Sequence, residues 1–389
     1  MGAFSLAAVL FVVALGVLYQ TAVAPLLRVG GVFRNVEPLN NQHCKVVPAL
    51  EGCEKAILPD DSSSIYVACS RIAGRPYWLP SVSHLNASGK PTDDYVAAYS
   101  LDTGEITRLT LSGFDSPRGL SVHGMDVVPS ALDPTKLFVY LVNHRAPLTG
   151  NAEDVGADSA IEIFETRIGS DVLKYVKTVE DPNVIQTPND VVGTTDGKGF
   201  WFTNDHGVKI GYERLIEGYL RLSRTSVGYC HVVDGCKIAA NKLHTSNGIT
   251  KSPTNDTFYV ASSRGGGIQV LEKQTDNTLV LTEVIPTVDM SFDNLSVDKN
   301  GAVWAASFPK GLNLLRRFKD LTIDVPSGAV RVTLNTGQSA FYGGKYKVEK
   351  VFEDDGHVVQ GATTAVYSPD RKLLILTGIS SPQLALCSL

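Results

Sequence analysis

Phe292-Asp293-Asn294-Leu295-Ser296-Val297, followed beyond a turn at Asn300-Gly301 by Val303-Trp304-Ala305-Ala306, is the stretch that decides the fold. Its two apolar halves read as strands joined by a short turn. Asp293 and Asn294 stand at the start of the first strand, although neither residue type favours strands. Something other than strand propensity therefore accounts for them, and both side chains are candidates for a site.

The pattern of strand, turn and second strand recurs along the chain. Six second strands are recognisable, and their first residues are 72, 63, 58, 45 and 70 positions apart. They are Ile65-Tyr66-Val67-Ala68, Leu137-Phe138-Val139-Tyr140, Phe200-Trp201-Phe202-Thr203, Phe258-Tyr259-Val260-Ala261, Val303-Trp304-Ala305-Ala306 and Leu373-Leu374-Ile375-Leu376. A repeat of this length is typical of four-stranded sheets arranged radially as blades. The sequence predicts an all-β protein, a six-bladed β-propeller with an N-terminal hydrophobic helix.

Composition agrees with a globular protein that does not bind nucleic acid. Of the 389 residues, 43% are hydrophobic and 19% are charged, and the net charge is -5. A negative chain without a basic stripe offers no electrostatic reason to expect nucleic acid as a partner.

Residues 1–28 form a separate hydrophobic segment. The run from Phe4 to Leu18 is apolar and uncharged, and Arg28 is the first charged residue. Such a segment is typical of a signal peptide or a membrane anchor. Pro25 directly after the small-x-small triplet Ala22-Val23-Ala24, and the lack of a basic residue before the run, favour a retained anchor. We expect the protein in the secretory pathway, membrane-anchored or extracellular, with possible lipid contact through this segment.

Six cysteines suit that oxidising compartment. Cys53 could face Cys69 across a hairpin, and Cys230 could face Cys236, which leaves Cys44 and Cys387 near the ends of the propeller segment, residues 44–389. Six cysteines allow many connectivities that the spacing does not distinguish, and free buried thiols remain an alternative for each short pair.

Polar residues recur at one position of the repeat. Glu54, Asn189 and Asn247 each lie 11 residues before a second strand, and Asn294 lies 9 before the next one. Innermost strands line the channel of a propeller, so side chains at their starts converge on the axis. Taken singly, each Asn could instead be a turn residue that bonds its own backbone.

Together these residues predict a metal site made only of oxygen ligands. The candidate ligands are Glu54, Asn189, Asn247, Asp293 and Asn294. Two carboxylates combined with neutral amides suit Ca²⁺ better than Mg²⁺. Sequons at Asn86 and Asn255 predict glycosylation, whereas the sequon at Asn294 should stay unmodified because its amide is committed to the metal.

Two histidines lie in the second repeat, in Val122-His123-Gly124 and in Asn143-His144-Arg145. A lone histidine is more often structural. Two in one blade could form a dyad in which His144 orients His123 and His123 takes a proton from water. Asp293 is the other candidate base. The lack of a Gly-x-Ser-x-Gly elbow disfavours a serine nucleophile.

These motifs resemble the paraoxonase/arylesterase family. The matching segments are Ala56-Ile57-Leu58-Pro59, Val122-His123-Gly124, Val142-Asn143-His144, Pro188-Asn189-Asp190, Thr203-Asn204-Asp205-His206, Ser246-Asn247-Gly248-Ile249, Asp293-Asn294-Leu295-Ser296-Val297-Asp298 and Leu386-Cys387-Ser388-Leu389. The resemblance extends from about Cys44 to Leu389. It implies a propeller closed by a Cys44–Cys387 disulfide and a retained N-terminal segment.

The resemblance also implies an activity. It implies a catalytic Ca²⁺ held by the five ligands above, the His123–His144 dyad, and hydrolysis of small-molecule lactones and aryl esters, with organophosphate triesters as a further substrate class. Two other functions fit the same residues. One is a sugar-lactone hydrolase of the gluconolactonase type, and the other is a non-catalytic calcium-stabilised propeller that binds a protein partner.

The chain departs from the family pattern at two places. The family carries a second, structural Ca²⁺ whose ligands include an Asp directly after the catalytic Glu, where this chain has Lys55. We expect a salt bridge between Lys55 and Asp190 in place of that ion, so that only the catalytic Ca²⁺ remains. The second departure is Ser307-Phe308-Pro309, which replaces a Cys-His-Pro segment of the family.

One helix is expected outside the sheets. Residues 212–226 show apolar spacing of i, i+3 and i+4, which predicts a lid or a membrane-contact helix. A solvated linker between blades is the alternative.

Overall fold

The strands form six antiparallel sheets of a propeller. The computed structural model describes residues 2–59, 62–220, 222–287, 290–337 and 343–389; Met1 of the N-terminal segment lies outside them. Within each of blades 2 to 5, four strands follow in chain order from the axis outward. The innermost strands of neighbouring blades contact one another in a closed ring. The predicted six-bladed β-propeller and N-terminal hydrophobic helix are confirmed.

The strands have the following bounds. The innermost strands are Cys53–Ile57, Val122–Pro129, Pro188–Gly193, Ser246–Lys251, Phe292–Val297 and Thr364–Ser368. The second strands are Ser64–Cys69, Lys136–Arg145, Gly199–Asn204, Thr257–Ser262, Val303–Ser307 and Leu373–Thr377. The third strands are Tyr95–Ser100, Asp158–Arg167, Thr225–His231, Ile268–Lys273, Ser327–Leu334 and Leu384–Ser388. The outer strands are Ile106–Arg108, Val172–Val179, Gly235–Leu243, Leu279–Ile285, Tyr346–Asp354 and Cys44–Val47.

The aromatic second strands fill the space between blades. Trp304 of blade 5 stacks on Tyr367 of blade 6 with ring centroids 4.3 Å apart. Trp201 of blade 3 contacts Phe258 of blade 4 at 4.9 Å. Large buried rings contribute most to such packing. This explains why each repeat carries an apolar second strand, and all six predicted segments lie within the observed second strands.

The two ends of the chain close the ring. Cys44–Val47 pairs antiparallel with Leu384–Ser388 and so supplies the outer strand of blade 6. Cys44 lies opposite Cys387, and the two form a disulfide. All six cysteines are in disulfides, because Cys53 pairs with Cys69 and Cys230 with Cys236.

The N-terminal segment is helical, with an α-helix at Gly2–Leu18, a π-turn at Tyr19–Val23 and a second α-helix at Ala24–Val29. By length and composition, the stretch Leu6–Val29 could cross a membrane, a criterion that a signal sequence also meets. The helix and the disulfides fit the secretory pathway. The choice between anchor and signal peptide stays a prediction.

Short helices cover one end of the propeller, which we call the mouth face: the end at which the innermost strands begin. They are Ala152–Val155, Tyr212–Leu220 and Gly311–Arg317, with 3₁₀ turns at Ile72–Gly74, Pro80–Val82 and Ala87–Gly89. A two-stranded hairpin, Trp78–Leu79 with His84–Leu85, lies among these turns, and Thr110–Ser112 adds a parallel fifth strand to blade 2. The helix expected over 212–226 ends at Leu220. The sequon residues Asn86 and Asn255 are exposed, and their glycosylation stays a prediction.

Candidate metal and catalytic site

A β-bulge interrupts the innermost strand of each of the first five blades. In blade 3, for example, Pro188 pairs with Asn204 but Val191 pairs with Phe202, so one extra residue is accommodated. The other four strands show register shifts at the equivalent place, whereas the innermost strand of blade 6 pairs regularly. A bulge breaks the two-residue alternation and re-aims side chains. All the predicted ligands, and also His123, lie within these bulges.

The bulged strands approach one another closely where glycines follow the site residues. A Cβ on Gly124 would lie 2.3 Å from the carbonyl oxygen of Asn189 in the next blade. A Cβ on Gly248 would lie 2.4 Å from the Cα of Asn294. Neither contact leaves room for a side chain. The glycines therefore let the strands bring ligands from different blades to one place on the axis.

Two asparagine amides of the site point their nitrogens at protein acceptors. Asn294 Nδ2 donates to Glu54 Oε1 at 2.6 Å, and Asn189 Nδ2 contacts His123 Nε2 at 3.3 Å. Each contact leaves the amide oxygen free to face elsewhere. The amide nitrogens therefore form contacts within the protein, whereas the amide oxygens have no protein partner.

Four of these acceptor oxygens are buried and without a hydrogen-bond partner. They are Glu54 Oε2, Asn189 Oδ1, Asn247 Oδ1 and Asn294 Oδ1. Buried polar atoms are normally hydrogen-bonded, so four unpartnered oxygens at linked positions call for a cation. Among the residues described, no three His, Cys, Asp or Glu side chains gather as a metal site on their own. The amides must therefore supply most of the ligands, and this oxygen set fits Ca²⁺.

The two carboxylates of the cluster, Glu54 and Asp293, lie in an environment that disfavours their ionised forms. Burial raises the pKa of Glu54 to about 7, with a further contribution from nearby Asp190. Burial also raises the pKa of Asp293 well above its ordinary value, and Glu54 adds to that rise. Without a cation, the carboxyl groups of the cluster therefore favour their protonated forms. A divalent ion would reverse this preference by pairing with the ionised carboxylates.

The two predicted histidines are neighbours at the edge of the oxygen cluster. Their ring centroids are 5.0 Å apart and the rings meet edge to face. His144 Nδ1 contacts Ser159 Oγ at 2.8 Å, which fixes its ring. His123 Nδ1 and His144 Nε2 are both buried and unpartnered. Burial lowers the pKa of His123 well below its usual value, aided by His144, and lowers the pKa of His144 to about 4. Both imidazoles are neutral at pH 7.

Lys55 and Asp190 occupy the next position along the same strands. Lys55 Nζ lies 2.5 Å from Asp190 Oδ2, and both side chains are almost completely buried. The same carboxylate oxygen accepts the backbone N–H of Ile249 at 2.9 Å. Lys55 Nζ is also 3.4 Å from the carbonyl oxygen of Leu295. The ammonium group therefore stands between blades 1, 3 and 5, on the channel axis.

Sequence reasoning missed several residues that complete the site. Thr363 and Thr364 donate their hydroxyls to the carbonyl oxygen of Glu54 at 2.7 and 2.8 Å. Thr364 lies nine residues before Leu373, the same distance that separates Asn294 from Val303, so the spacing would have revealed it. Nothing in the spacing marks Ser159, because its place beside His144 depends on the register of the strands.

A small cleft on the mouth face reaches His144. Its lining also includes Ser159, Thr187, Asp205 and Arg214. Asp205 contacts His206 Nδ1 at 2.8 Å, and the pKa of Asp205 falls to about 2 because His206 and Arg214 outweigh the effect of burial. Arg214 reaches the cleft from the helix Tyr212–Leu220. A charged, polar-lined cleft therefore borders the dyad.

Comparisons with known proteins identify the family of the chain. A family model described as Arylesterase matches residues 35–389. The chain belongs to the arylesterase family. Serum paraoxonase/arylesterase 2 of Rattus norvegicus is 28% identical over 348 residues, which cover 88% of each chain. Serum paraoxonase/arylesterase 1 of the same species is 30% identical over 349 residues, or 89% of each chain. Serum paraoxonase/lactonase 3 of Oryctolagus cuniculus is 26% identical over 350 residues, or 89% of each chain.

Solved structures resemble this arylesterase-family chain only loosely. A luciferin-regenerating enzyme has a TM-score of 0.48 with 12% identity, covering 92% of this chain and 95% of the other. A gluconolactonase from Xanthomonas campestris has a TM-score of 0.45 with 15% identity, covering 92% and 96%.

Proposed function

We propose that this chain is a calcium-dependent carboxylic-ester hydrolase that acts on lactones and aryl esters, with organophosphate triesters as a further substrate class. The observation that carries the proposal is the set of four buried, unpartnered oxygens on the axis. Membership of the arylesterase family supports the type of reaction. The names of the relatives, which include an arylesterase and a lactonase, support the substrate classes.

The proposed Ca²⁺ ligands are Glu54, Asn189, Asn247, Asp293 and Asn294. Bound there, the ion would supply Lewis-acid chemistry, which polarises a carbonyl or phosphoryl oxygen and stabilises the negative charge that develops on it. The amide nitrogens of Asn294 and Asn189 keep their oxygens aimed at the axis through the contacts with Glu54 and His123. The threonine hydroxyls of blade 6 fix the backbone at Glu54. The protein thus holds the ligands in place before the ion arrives.

His123 is the proposed general base. When the Asn189 amide donates to His123 Nε2, the proton of the neutral ring is on Nδ1, and Nε2 is the basic atom. When His144 donates from Nδ1 to Ser159, its Nε2 becomes an acceptor that faces His123. His123 can then take a proton at Nε2 from an attacking water that displaces the Asn189 amide from this atom. His144, whose Nε2 has no hydrogen-bond partner, is the proposed acceptor for Nδ1–H of the imidazolium once the two rings approach.

Asp293 remains the alternative base, and substitution separates the two candidates. An Asp293 base must also serve as a ligand, so its replacement would remove metal and activity together. Replacement of His123 would remove activity alone. The roles of both residues are part of the proposal.

The mouth face is the proposed lipid-contact surface. The helix Tyr212–Leu220 buries Arg214 and Glu217 and exposes apolar side chains: Tyr212, Leu215, Ile216, Tyr219 and Leu220. The N-terminal helix reaches the same face, because a Cβ on Gly31 would lie 2.0 Å from the carbonyl oxygen of Pro309. An exposed apolar helix beside a hydrophobic N-terminal segment suits an interface with lipid. We propose a secreted or membrane-anchored protein with its cleft directed towards that surface.

The function is tested by a hydrolase screen of the full-length chain. Purified protein is assayed with aliphatic lactones, sugar lactones, aryl esters and phosphotriesters, each with and without a calcium chelator. We expect calcium-dependent hydrolysis of aliphatic lactones and aryl esters. Preference for sugar lactones would replace the proposal with a gluconolactonase-type activity. Calcium binding without turnover of any class would indicate a non-catalytic propeller.

A further inference from the structure

A single lysine is buried on the axis one residue beyond the oxygen cluster. Lys55 is 1% exposed and Asp190 is fully buried, so neither charge reaches solvent. A buried charge is tolerated only when an opposite charge and hydrogen bonds compensate it. Asp190 Oδ2 receives the ammonium and the N–H of Ile249, whereas Asp190 Oδ1 has no partner. The ammonium therefore provides the only positive charge that the described residues place against this carboxylate.

The formal charges near the axis can be counted. Three buried carboxylates, those of Glu54, Asp190 and Asp293, face one ammonium, that of Lys55. The other carboxylates nearby, Asp94 and Asp126, each have a cation among the charges around them, Arg75 and Lys251 respectively. The axis thus keeps two uncompensated negative charges. One divalent cation at the oxygen cluster makes it neutral, whereas two would leave it positively charged.

A second ion is also short of ligands. The unpartnered oxygens of Glu54, Asn189, Asn247 and Asn294 belong to the cluster, and beside the ammonium the unpartnered side-chain oxygen among the described residues is Asp190 Oδ1. One carboxylate oxygen is too few for Ca²⁺, which takes six to eight oxygens. The ammonium moreover occupies the space beside Asp190 and would repel a cation there. The second calcium of the family does not fit the residues that this chain provides.

We propose that Lys55 is a built-in replacement for a metal ion: it neutralises Asp190 on the axis, so the chain binds one Ca²⁺ and separates its structural cation from its catalytic one. The inference rests on the proposed function for the identity of the single ion.

Separation of the two cations has a measurable consequence. Chelation removes the catalytic ion but leaves the Lys55–Asp190 pair intact. The wild-type chain should therefore lose activity on chelation and stay folded, and re-addition of Ca²⁺ should restore activity. A Lys55→Asp variant exchanges one positive charge for a negative one, so that two divalent ions are needed for neutrality. Its fold should depend on calcium.

The test counts calcium ions in metal-stripped, re-equilibrated protein by native mass spectrometry and elemental analysis. We expect one ion in the wild type, two in Lys55→Asp, and one in the control Lys251→Met, which removes a different partly buried lysine. Chelation should lower the unfolding temperature of Lys55→Asp more than that of the wild type, by on the order of 10 °C.

Lys55→Met provides a second test in case the Lys55→Asp variant does not fold. It keeps the aliphatic volume and removes the charge, so we expect one bound ion and an unfolding temperature lower by roughly 5 to 10 °C. An unchanged unfolding temperature would contradict the inference. Two ions in the wild type, with one coordinated by Asp190 in a crystal structure, would overturn it and leave the proposed function intact. No bound calcium in the wild type would overturn the proposed metal site itself.

Discussion

The oxygen cluster and the Lys55–Asp190 pair are adjacent regions of one channel, and they differ in how their charges are met. The same strands supply both, since Glu54 precedes Lys55 and Asn189 precedes Asp190. In the pair, an ammonium lies 2.5 Å from a carboxylate and closes the site. In the cluster, four oxygens have no partner. The chain thus supplies its own cation at one level and leaves the other level open for an ion.

The largest expected effect comes from removal of one charge in the open region. Asp293→Asn keeps the shape of the side chain but leaves one carboxylate for a divalent ion, so Ca²⁺ affinity should fall by at least about 100-fold. Hydrolysis should become undetectable at ordinary calcium concentrations. Calcium titration calorimetry and an ester assay measure the two losses.

Asp126→Asn is the matched control. Asp126 is a half-buried carboxylate on an innermost strand, but it accepts the N–H of Gly193, and Lys251 is among the charges around it. We expect its replacement to leave calcium affinity within a few-fold of the wild type. An equal loss in both variants would mean that any buried axial charge matters, and the contrast between the two regions would fail.

Replacement of the proposed base should separate catalysis from metal binding. His123→Gln keeps a hydrogen-bonding side chain beside Asn189 but cannot take up a proton near neutral pH. We expect kcat to fall by roughly 10² to 10⁴ while calcium affinity stays within a few-fold. The exposed His357→Gln serves as the control. A wild-type kcat in His123→Gln would transfer the role of base to Asp293.

The disulfide that closes the ring should stabilise both the oxygen cluster and the Lys55–Asp190 pair, because blade 6 adjoins blade 1, which carries Glu54 and Lys55. The Cys44–Cys387 disulfide spans 343 residues of sequence, and its removal by a double Ser substitution should cost about 5 kcal/mol of folding free energy. The Cys230–Cys236 bond spans only 6 residues, so its loss should cost about 2 kcal/mol. Denaturant unfolding compares the two variants. Equal costs would argue against closure by the longer bond.

Low pH should stabilise the fold by protonating Glu54 in the oxygen cluster only when Ca²⁺ is absent. Burial raises the folded-state pKa of Glu54 from 4.5 to about 7, so the folded protein binds this proton more tightly than the unfolded chain does. That contribution to stability is full below pH 4.5 and is lost as pH rises through about 7. Chelated protein should therefore be more stable at pH 6 than at pH 8, by about 1 kcal/mol.

Calcium-loaded protein should not show this gain, because the ion keeps Glu54 ionised in the folded state. Thermal unfolding at both pH values, with and without chelator, gives the comparison. Chelated protein that is more stable at pH 8 would contradict the assignment of Glu54 to an empty cation site.

The fold was accessible from sequence because its signal is local and repeated. Each blade needs an apolar second strand to pack against its neighbours. This requirement explains why Phe200, Phe258 and Trp304 recur along the chain at similar intervals. The alignment of Asn189 and Asn247 with those strands likewise follows from the repeat. Periodicity therefore predicts both the architecture and the positions that reach the axis.

The rest depends on contacts between distant parts of the chain. The sequence of a single strand does not reveal the bulge that brings Asp293 and Asn294 to the channel axis, because a bulge is defined by the pairing with the partner strand. Ser159 beside His144 and Thr363 beside Glu54 are products of register and blade order. The exposed apolar side of Tyr212–Leu220 was predicted only as spacing, since the sequence does not say which side faces the protein.

The most direct test of the central claim is a calcium titration of metal-stripped wild-type protein, with bound ion and lactone hydrolysis measured in the same samples. If the unpartnered oxygens hold a catalytic ion and Lys55 replaces the other, hydrolysis should rise in proportion to occupancy and reach its plateau when one Ca²⁺ is bound per chain. Full hydrolysis in the stripped protein, or activity that appears only after a second ion binds, would contradict the account.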